Sequence, residues 1–363
     1  MVPTKPPSTA VPETPAAARP SRVQMADIAR LAGVSVATVS RALSLSPLVN
    51  AATRERVAEL AKSLNYSINA GAQNLRLKQN KTVAVIVPYD PQTRQHLSDP
   101  FFLSLIGSLA DALTERGHDM LLTRVPADRL DLAAQTYQTG RALGIVLIGQ
   151  WHHHDQLNEM AVRGVPFVVW GAQMPQQLYA TVGGDNLSGG RLATAHLLGL
   201  GARRVLFLGD PELPEIGLRA QGWREAHALA GVPLDEALVR PLPFVAEQIA
   251  AEVERLVRSR QRFDAVFAAS DLTAMTAVST LMRLGVAVPG QVRVAGYDDI
   301  ALAEHFHPPL TTVRQPINAA GVLLVETLLA QLSGERPTST LLPTELVVRH
   351  SSGAVAGAAA VVR

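Results

Sequence analysis

The chain has no cysteine among its 363 residues. That excludes disulfides, thiolate zinc sites, iron–sulfur clusters and cysteine nucleophiles. No apolar run reaches the roughly 18 residues that a membrane span needs. The first 20 residues are rich in Pro, Ala and Thr and lack the apolar stretch of a secretory signal. We therefore expect a soluble, cytoplasmic protein with no membrane partner. Catalytic patterns are missing as well. No Ser-His-Asp set, carboxylate pair or phosphate loop can be defended, and the glycine-rich stretch GGDNLSGGR has neither a phosphate-loop lysine nor dinucleotide spacing. It is read instead as a helix start, with Asp185 near a crossover between lobes. The run His152–His154 is read as a surface loop, because adjacent histidines point in different directions and rarely chelate one ion. No catalytic residue, no cofactor and no metal is expected.

Hydrophobic residues make up 47% and charged residues 18% of the chain, enough apolar material for a sizeable core. The length suits about two or three domains. The net charge of +2 hides a division. Residues 1–81 hold 11 basic and 4 acidic side chains, a balance of +7, and the rest of the chain sums to −5. A basic end on an acidic body points to a polyanion as the partner of the N-terminal part.

Residues 1–21 read as a proline-rich disordered arm that cannot offset its own ordering entropy. Residues 22–66 change character. Met25, Ile28, Ala29 and Ala32 fall at helical spacing, and Gly33 ends that helix. Ser35 caps a second helix, with Val36, Val39 and Leu43 on one face. Asn50 caps a third, where Val57, Leu60, Ala61 and Leu64 repeat. Three short helices joined by a tight Gly-containing turn have the spacing of a helix-turn-helix. On its second helix Val36, Ala37 and Arg41 are expected to face the major groove, while Val39 and Leu43 anchor it. Arg41 can contact guanine bidentately, and Val36 and Ala37 suit thymine methyl groups. Thr38, Ser40 and Asn50 are placed as phosphate donors.

From residue 81 to about 350 the rhythm is strand, helix, strand, helix. Apolar runs stand at Val83–Val87, Met120–Leu122, Gly144–Ile148, Phe167–Trp170, Val205–Leu208, Ala265–Ala268 and Val292–Ala295. Asp99 and Pro100 start a helix that ends near Gly117. The fold class expected is α/β: a three-helix head, then a two-lobed body of doubly wound parallel sheets. A ligand would bind beyond the carboxyl ends of the strands, between the lobes.

Several separated motifs, in order, resemble the LacI/GalR family of bacterial transcription regulators. They are MADIARLAGVSVATVSRAL (Met25–Leu43), LVNAATRERV, LNYSINAGAQNLR, VGGDNLSGGRLATAHLLGLGARRV, ASDLTAMTAV and VPGQVRVAGYDDIALAEHFHPPLTTVRQP. The resemblance spans about residues 23–350. It implies a repressor that binds a palindromic operator as a homodimer and answers to a small sugar-like effector. It adds Met25, Ser35, Thr53 and Tyr66 to the DNA contacts and makes residues 67–80 a hinge helix. There Asn69 would contact DNA and Leu75 would wedge between base pairs, bending the duplex. Ile68 departs from the proline that many relatives carry.

In the body, the resemblance assigns ligand binding to Arg219 in LRAQGW and Asp298 in GYDDI. Ser270 and Asp271 point at the same opening, although relatives often have asparagine at the Ser270 position. Carboxylate and guanidinium together suit sugar hydroxyls, with a structural Arg219–Asp298 salt bridge as the alternative. Phe102, Trp170 and Phe244 are the candidate stacking rings, and Gln95, His96, Asp99 and Gln150 are placed to enlarge the site. A glucoside or short oligosaccharide is favoured over a purine. Competing readings are a periplasmic-type sugar-binding protein, a corepressor-dependent regulator and a sugar-acting enzyme. Residues 351–363 read as a flexible tail without the leucine heptads of a tetramerising coiled coil.

Overall fold

The computed structural model describes residues 24–43, 46–64, 66, 80–90 and 96–354. The chain divides into two compact units, Met1–Gln79 and Asn80–Arg363.

In the first unit, α1 (Met25–Ala32), α2 (Val36–Leu43) and α3 (Ala51–Ser63) pack around Ile28, Ala29, Ala32, Val39, Ala42, Val49, Val57 and Ala61. Gln24 and Asp27 form a reciprocal box at the start of α1. Gly33 ends α1 in the left-handed conformation at φ 63°, so the chain reverses at once into α2. Asn50 caps α3 by accepting the Thr53 amide at 2.8 Å. Arg54 reaches back from α3 to the carbonyls of Ser46 and Val49, fixing the α2–α3 connection.

The second unit holds two six-stranded sheets. The first lobe is ordered β11 (Thr340–Leu342), β5 (Ala180–Gly184), β4 (Phe167–Trp170), β3 (Gly144–Ile148), β1 (Thr82–Tyr89) and β2 (Asp119–Pro126). The second is ordered β12 (Glu345–Val347), β10 (Thr311–Arg314), β9 (Arg293–Asp298), β8 (Ala265–Ala268), β6 (Val205–Leu208) and β7 (Val239–Arg240). All pairings are parallel except β10 with β12. Helices cover both faces, so the central strands are apolar without alternation. The chain crosses between lobes three times: at Asp185, around Gln315–Pro316 and at Pro343–Thr344. Asp185 sits at the first crossing and caps the helix Asn186–Gly199 by accepting the Ser188 amide. Its carbonyl accepts from the Thr344 hydroxyl of the third crossing.

Three features differ from the expectations. The strands β5, β7, β10, β11 and β12 were not foreseen. Ser351 and Ser352, expected to begin a flexible tail, are fully buried. The Ser351 hydroxyl donates to the Val294 carbonyl and accepts the Thr311 amide, while Ser352 pairs with Thr311 and His196. Finally, His152–His154 is not wholly a surface loop. His154 opens the helix His154–Val162, and its ring contacts the Tyr179 hydroxyl at 2.8 Å. Among the described residues no His, Asp or Glu cluster is arranged to hold a metal, and no helix is long and apolar enough to cross a membrane.

Candidate functional site

In the head, α2 turns Val36, Ala37 and Arg41 to solvent and buries Val39 and Ala42; Leu43 is half-buried. Val36 is 46% exposed, an unusual setting for an apolar β-branched side chain at a helix start. A helix anchored on one face and carrying apolar groups with one arginine on the other has the layout for reading base edges. Ser35 accepts the Thr38 amide at 3.1 Å, and the two hydroxyls lie 2.8 Å apart. Ser35 is therefore also the N-cap of α2, with Thr38 as its partner in the first turn. The Asn50 carbonyl oxygen is engaged in capping α3, so only its amide nitrogen is suited to a phosphate. Ser40 and Thr53 are half-buried. Met25 and Tyr66 pack against the core of the head. Asn69 and Leu75, like Gln95 of the body, lie outside the described residues.

The body has an aromatic chamber between its lobes. From the first lobe come Asp99, Phe101 and Phe102 at the start of the helix Pro100–Glu115, Ile148 at the end of β3 with Gly149 and Trp151 after it, and Trp170 at the end of β4. From the second come Leu213, Glu215, Ile216 and Arg219 of the helix Pro214–Leu229 and its approach, Phe244, Ser270 after β8, and Asp298 at the end of β9. Every contribution lies at a strand's carboxyl end or on a loop or helix near it, the expected ligand position for parallel sheets. Seven expected residues meet here: Asp99, Phe102, Trp170, Arg219, Phe244, Ser270 and Asp298. Phe101 stacks edge-on against Phe102 at 5.5 Å and lies 6.3 Å from Trp170.

Arg219 is buried and held rigidly. Its Nε donates to Asn186 at 2.8 Å, Nη1 donates to the Ala269 carbonyl, and the guanidinium lies 3.7 Å above the Tyr297 ring. Two of its five N–H groups are thus engaged, leaving others for a ligand. No ion pair joins it to Asp298 among the described residues, so the structural salt bridge is not formed. Asp298 instead accepts from the Gln315 amide at 2.8 Å. Its backbone has φ 115° and that of Asp299 φ 54°, conformations that cost energy outside glycine and concentrate at functional sites. Arg314 and Arg349 clamp Asp299 at 2.6 and 2.7 Å and stabilise this turn. Burial pushes the Asp298 carboxyl up to about 7; Arg219 pulls it down, Asp99 pushes it up, and the Gln315 hydrogen bond lowers it. Glu215 is also raised by burial, offset in part by its own backbone amide and by Arg219.

Two expected ligand contacts are corrected. Gln150 is fully buried behind the chamber, where it donates to the Ala172 carbonyl and the Tyr179 hydroxyl and accepts the Ala172 amide. Positive φ at Gly149 (94°) and Trp151 (51°) reverses the chain there, so Trp151 lines the chamber instead. Asp271 is likewise fully buried. It accepts the Ile300 amide at 2.9 Å and the Thr312 hydroxyl, so it positions the loop after Asp298. Burial raises its carboxyl, and the neighbouring Asp298 raises it further. Ser270 reaches the chamber but also caps the helix Asp271–Arg283, accepting the Thr273 amide at 3.2 Å.

Trp151 and Glu215 were not anticipated. Glu215 stands one helical turn before Arg219, on the same face, and that spacing could have found it. Trp151 follows β3 at its carboxyl end, one position beyond Gln150.

Residues 24–69 match the family described as bacterial regulatory proteins, lacI family, and residues 194–352 match a periplasmic binding protein-like domain. The chain is 36% identical over 330 residues to the HTH-type transcriptional regulator CelR of Thermobifida fusca, covering 89% of this chain and 96% of that protein. It is 31% identical over 334 residues to the HTH-type transcriptional regulator DegA of Bacillus subtilis, covering 90% and 97%. A solved transcriptional regulator CelR–cellobiose complex superposes with a TM-score of 0.68 at 34% identity, covering 91% of this chain and all of that one. The lac repressor dimer bound to operator and an anti-inducer superposes with a TM-score of 0.77 at 24% identity, over 92% of this chain and all of that one, a likeness of fold. On these grounds the chain belongs to the lacI family of bacterial regulatory proteins.

Proposed function

We propose that this protein is a sequence-specific transcriptional repressor that binds operator DNA as a homodimer and releases it when a small sugar occupies the chamber between its lobes. The carrying observation is one chain with two sites: a groove-reading face on α2 and an aromatic, carboxylate-bearing chamber. Rings suit the apolar faces of a pyranose, while Asp298 and Arg219 suit its hydroxyls. The CelR relative solved with cellobiose supports a sugar over a purine. Arg41 reads a guanine, Val36 and Ala37 meet thymine methyl groups, and Thr38, Ser40 and Asn50 hold phosphates. No catalytic role is proposed for any residue.

A gel shift on the DNA upstream of the protein's own gene and its neighbours tests this. A retarded complex with two chains per operator is expected, dissolving when the right mono- or disaccharide is added. Arg41→Ala is expected to erase about 1–3 kcal/mol of preference for that operator over unrelated duplex. A protein that retards no duplex at modest salt is not this repressor. A complex tightened by the sugar would make the ligand a corepressor.

A further inference from the structure

The aromatic chamber is small, about 110 Å3. Ligand pockets commonly enclose about 300–1,000 Å3, so the chamber alone falls short. Beside it lies a second, much larger space of about 670 Å3. The two share Asp99 and Phe244 as lining, so they adjoin at those residues. The outer space is bounded by His96–Pro100 of the first lobe, and by the start of the helix Ala246–Arg258 and the first turns of Asp271–Arg283 of the second. Its lining differs in kind from that of the chamber. Among the described residues Phe244 is its only aromatic ring besides the imidazole of His96, and Ser98, Asp99, Glu247, Gln248, Thr273 and Thr276 bring polar groups to it, with Glu247 and Gln248 exposed.

We infer that the protein recognises the end of an oligosaccharide chain. The terminal unit sits among the chamber's rings, and the following units run out past Asp99 and Phe244 into the outer space. This rests on the sugar reading above and adds chain length to it. A single sugar ring would use only the chamber. A longer chain would place its second ring against Phe244 and its hydroxyls within reach of Glu247 and Gln248. The wide outer space sets no tight limit on the third and later units. The selection is therefore for a terminus, with tolerance of length beyond it.

Calorimetric titration of the full chain with glucose, cellobiose, cellotriose and cellotetraose, and with the matching α-linked series, tests the inference. In one series affinity should rise at least tenfold from one unit to three, then level off. Gln248→Trp, at an exposed position, should cut affinity for the three- and four-unit chains at least fivefold while binding of the single unit persists. Thermal melting of that variant at the wild-type temperature shows that the fold is intact. Equal affinity for one unit and three, or exclusion of three units, overturns the chain-end inference and leaves a sugar effector standing. Binding of no member of either series overturns the gluco-sugar reading and this inference with it.

Discussion

Asp298 is where the cleft's chemistry is most exposed to test. In the free protein burial holds its carboxyl near 7, with Arg219 opposing and Asp99 assisting. A sugar hydroxyl donated to that carboxyl favours its charged form, so binding must expel a proton. Effector affinity should therefore rise between about pH 6 and pH 8, approaching tenfold per unit on the acid side. Calorimetry in buffers of different ionisation enthalpy should register the released proton, and Asp298→Asn should flatten the profile. Constant affinity across this range would rule out the hydroxyl-to-carboxylate contact. The sign for folding is opposite. The raised value means that the stability Asp298 contributes below the ordinary carboxylate pKa is lost as pH climbs through 7. That Arg219 and Asp298 line one chamber was legible in the sequence, because distinctive motifs surround them. Gln150 and Asp271 lie outside the chamber's lining, because hydrogen-bond partners distant in sequence, Ala172 and Thr312 among them, hold their side chains in the interior. Nothing in the chain near either residue announces those partners.

Among the elements, the crossing of Asn186–Gly199 with Pro214–Leu229 sets the floor of the cleft. Gly190 lies against the Arg219 carbonyl and Gly222 against that of Leu187, each with no room for a Cβ. This close approach lets Asn186 of one helix hold Arg219 of the other. Gly222→Ala should cost about 1–3 kcal/mol of stability by forcing the helices apart, read as a lower midpoint in denaturant, and should weaken sugar binding in parallel. An unchanged midpoint would contradict the packing described. The same logic explains which strands could be read from sequence. Gly144–Ile148, Phe167–Trp170, Val205–Leu208 and Ala265–Ala268 match β3, β4, β6 and β8 end to end, since buried parallel strands are continuous apolar runs. β5, with the sequence ATVGG, and β10, with TTVR, carry no such run. Their burial comes from a glycine-to-glycine backbone contact between Gly183 and Gly171, and from Thr311 and Thr312 bonding to Ser351, Ser352 and Asp271. Such partnerships exist only after the chain has folded.

At the scale of the whole molecule, the claim is that one chain links two binding equilibria. Linkage requires reciprocity: if the sugar weakens operator binding by some factor, the operator must weaken sugar binding by that same factor. Steering a two-state equilibrium from 1:99 to 99:1 would take about 5.5 kcal/mol of difference in sugar affinity, and a coupling of about 1–3 kcal/mol is the common range. The most direct measurement is a titration of sugar into the protein, alone and saturated with operator duplex, beside a titration of operator with and without sugar. Equal factors are expected in the two directions, at least fivefold, both collapsing towards one in Arg219→Ala because that variant no longer senses the sugar. Sugar affinity that is identical with and without operator would contradict this linkage.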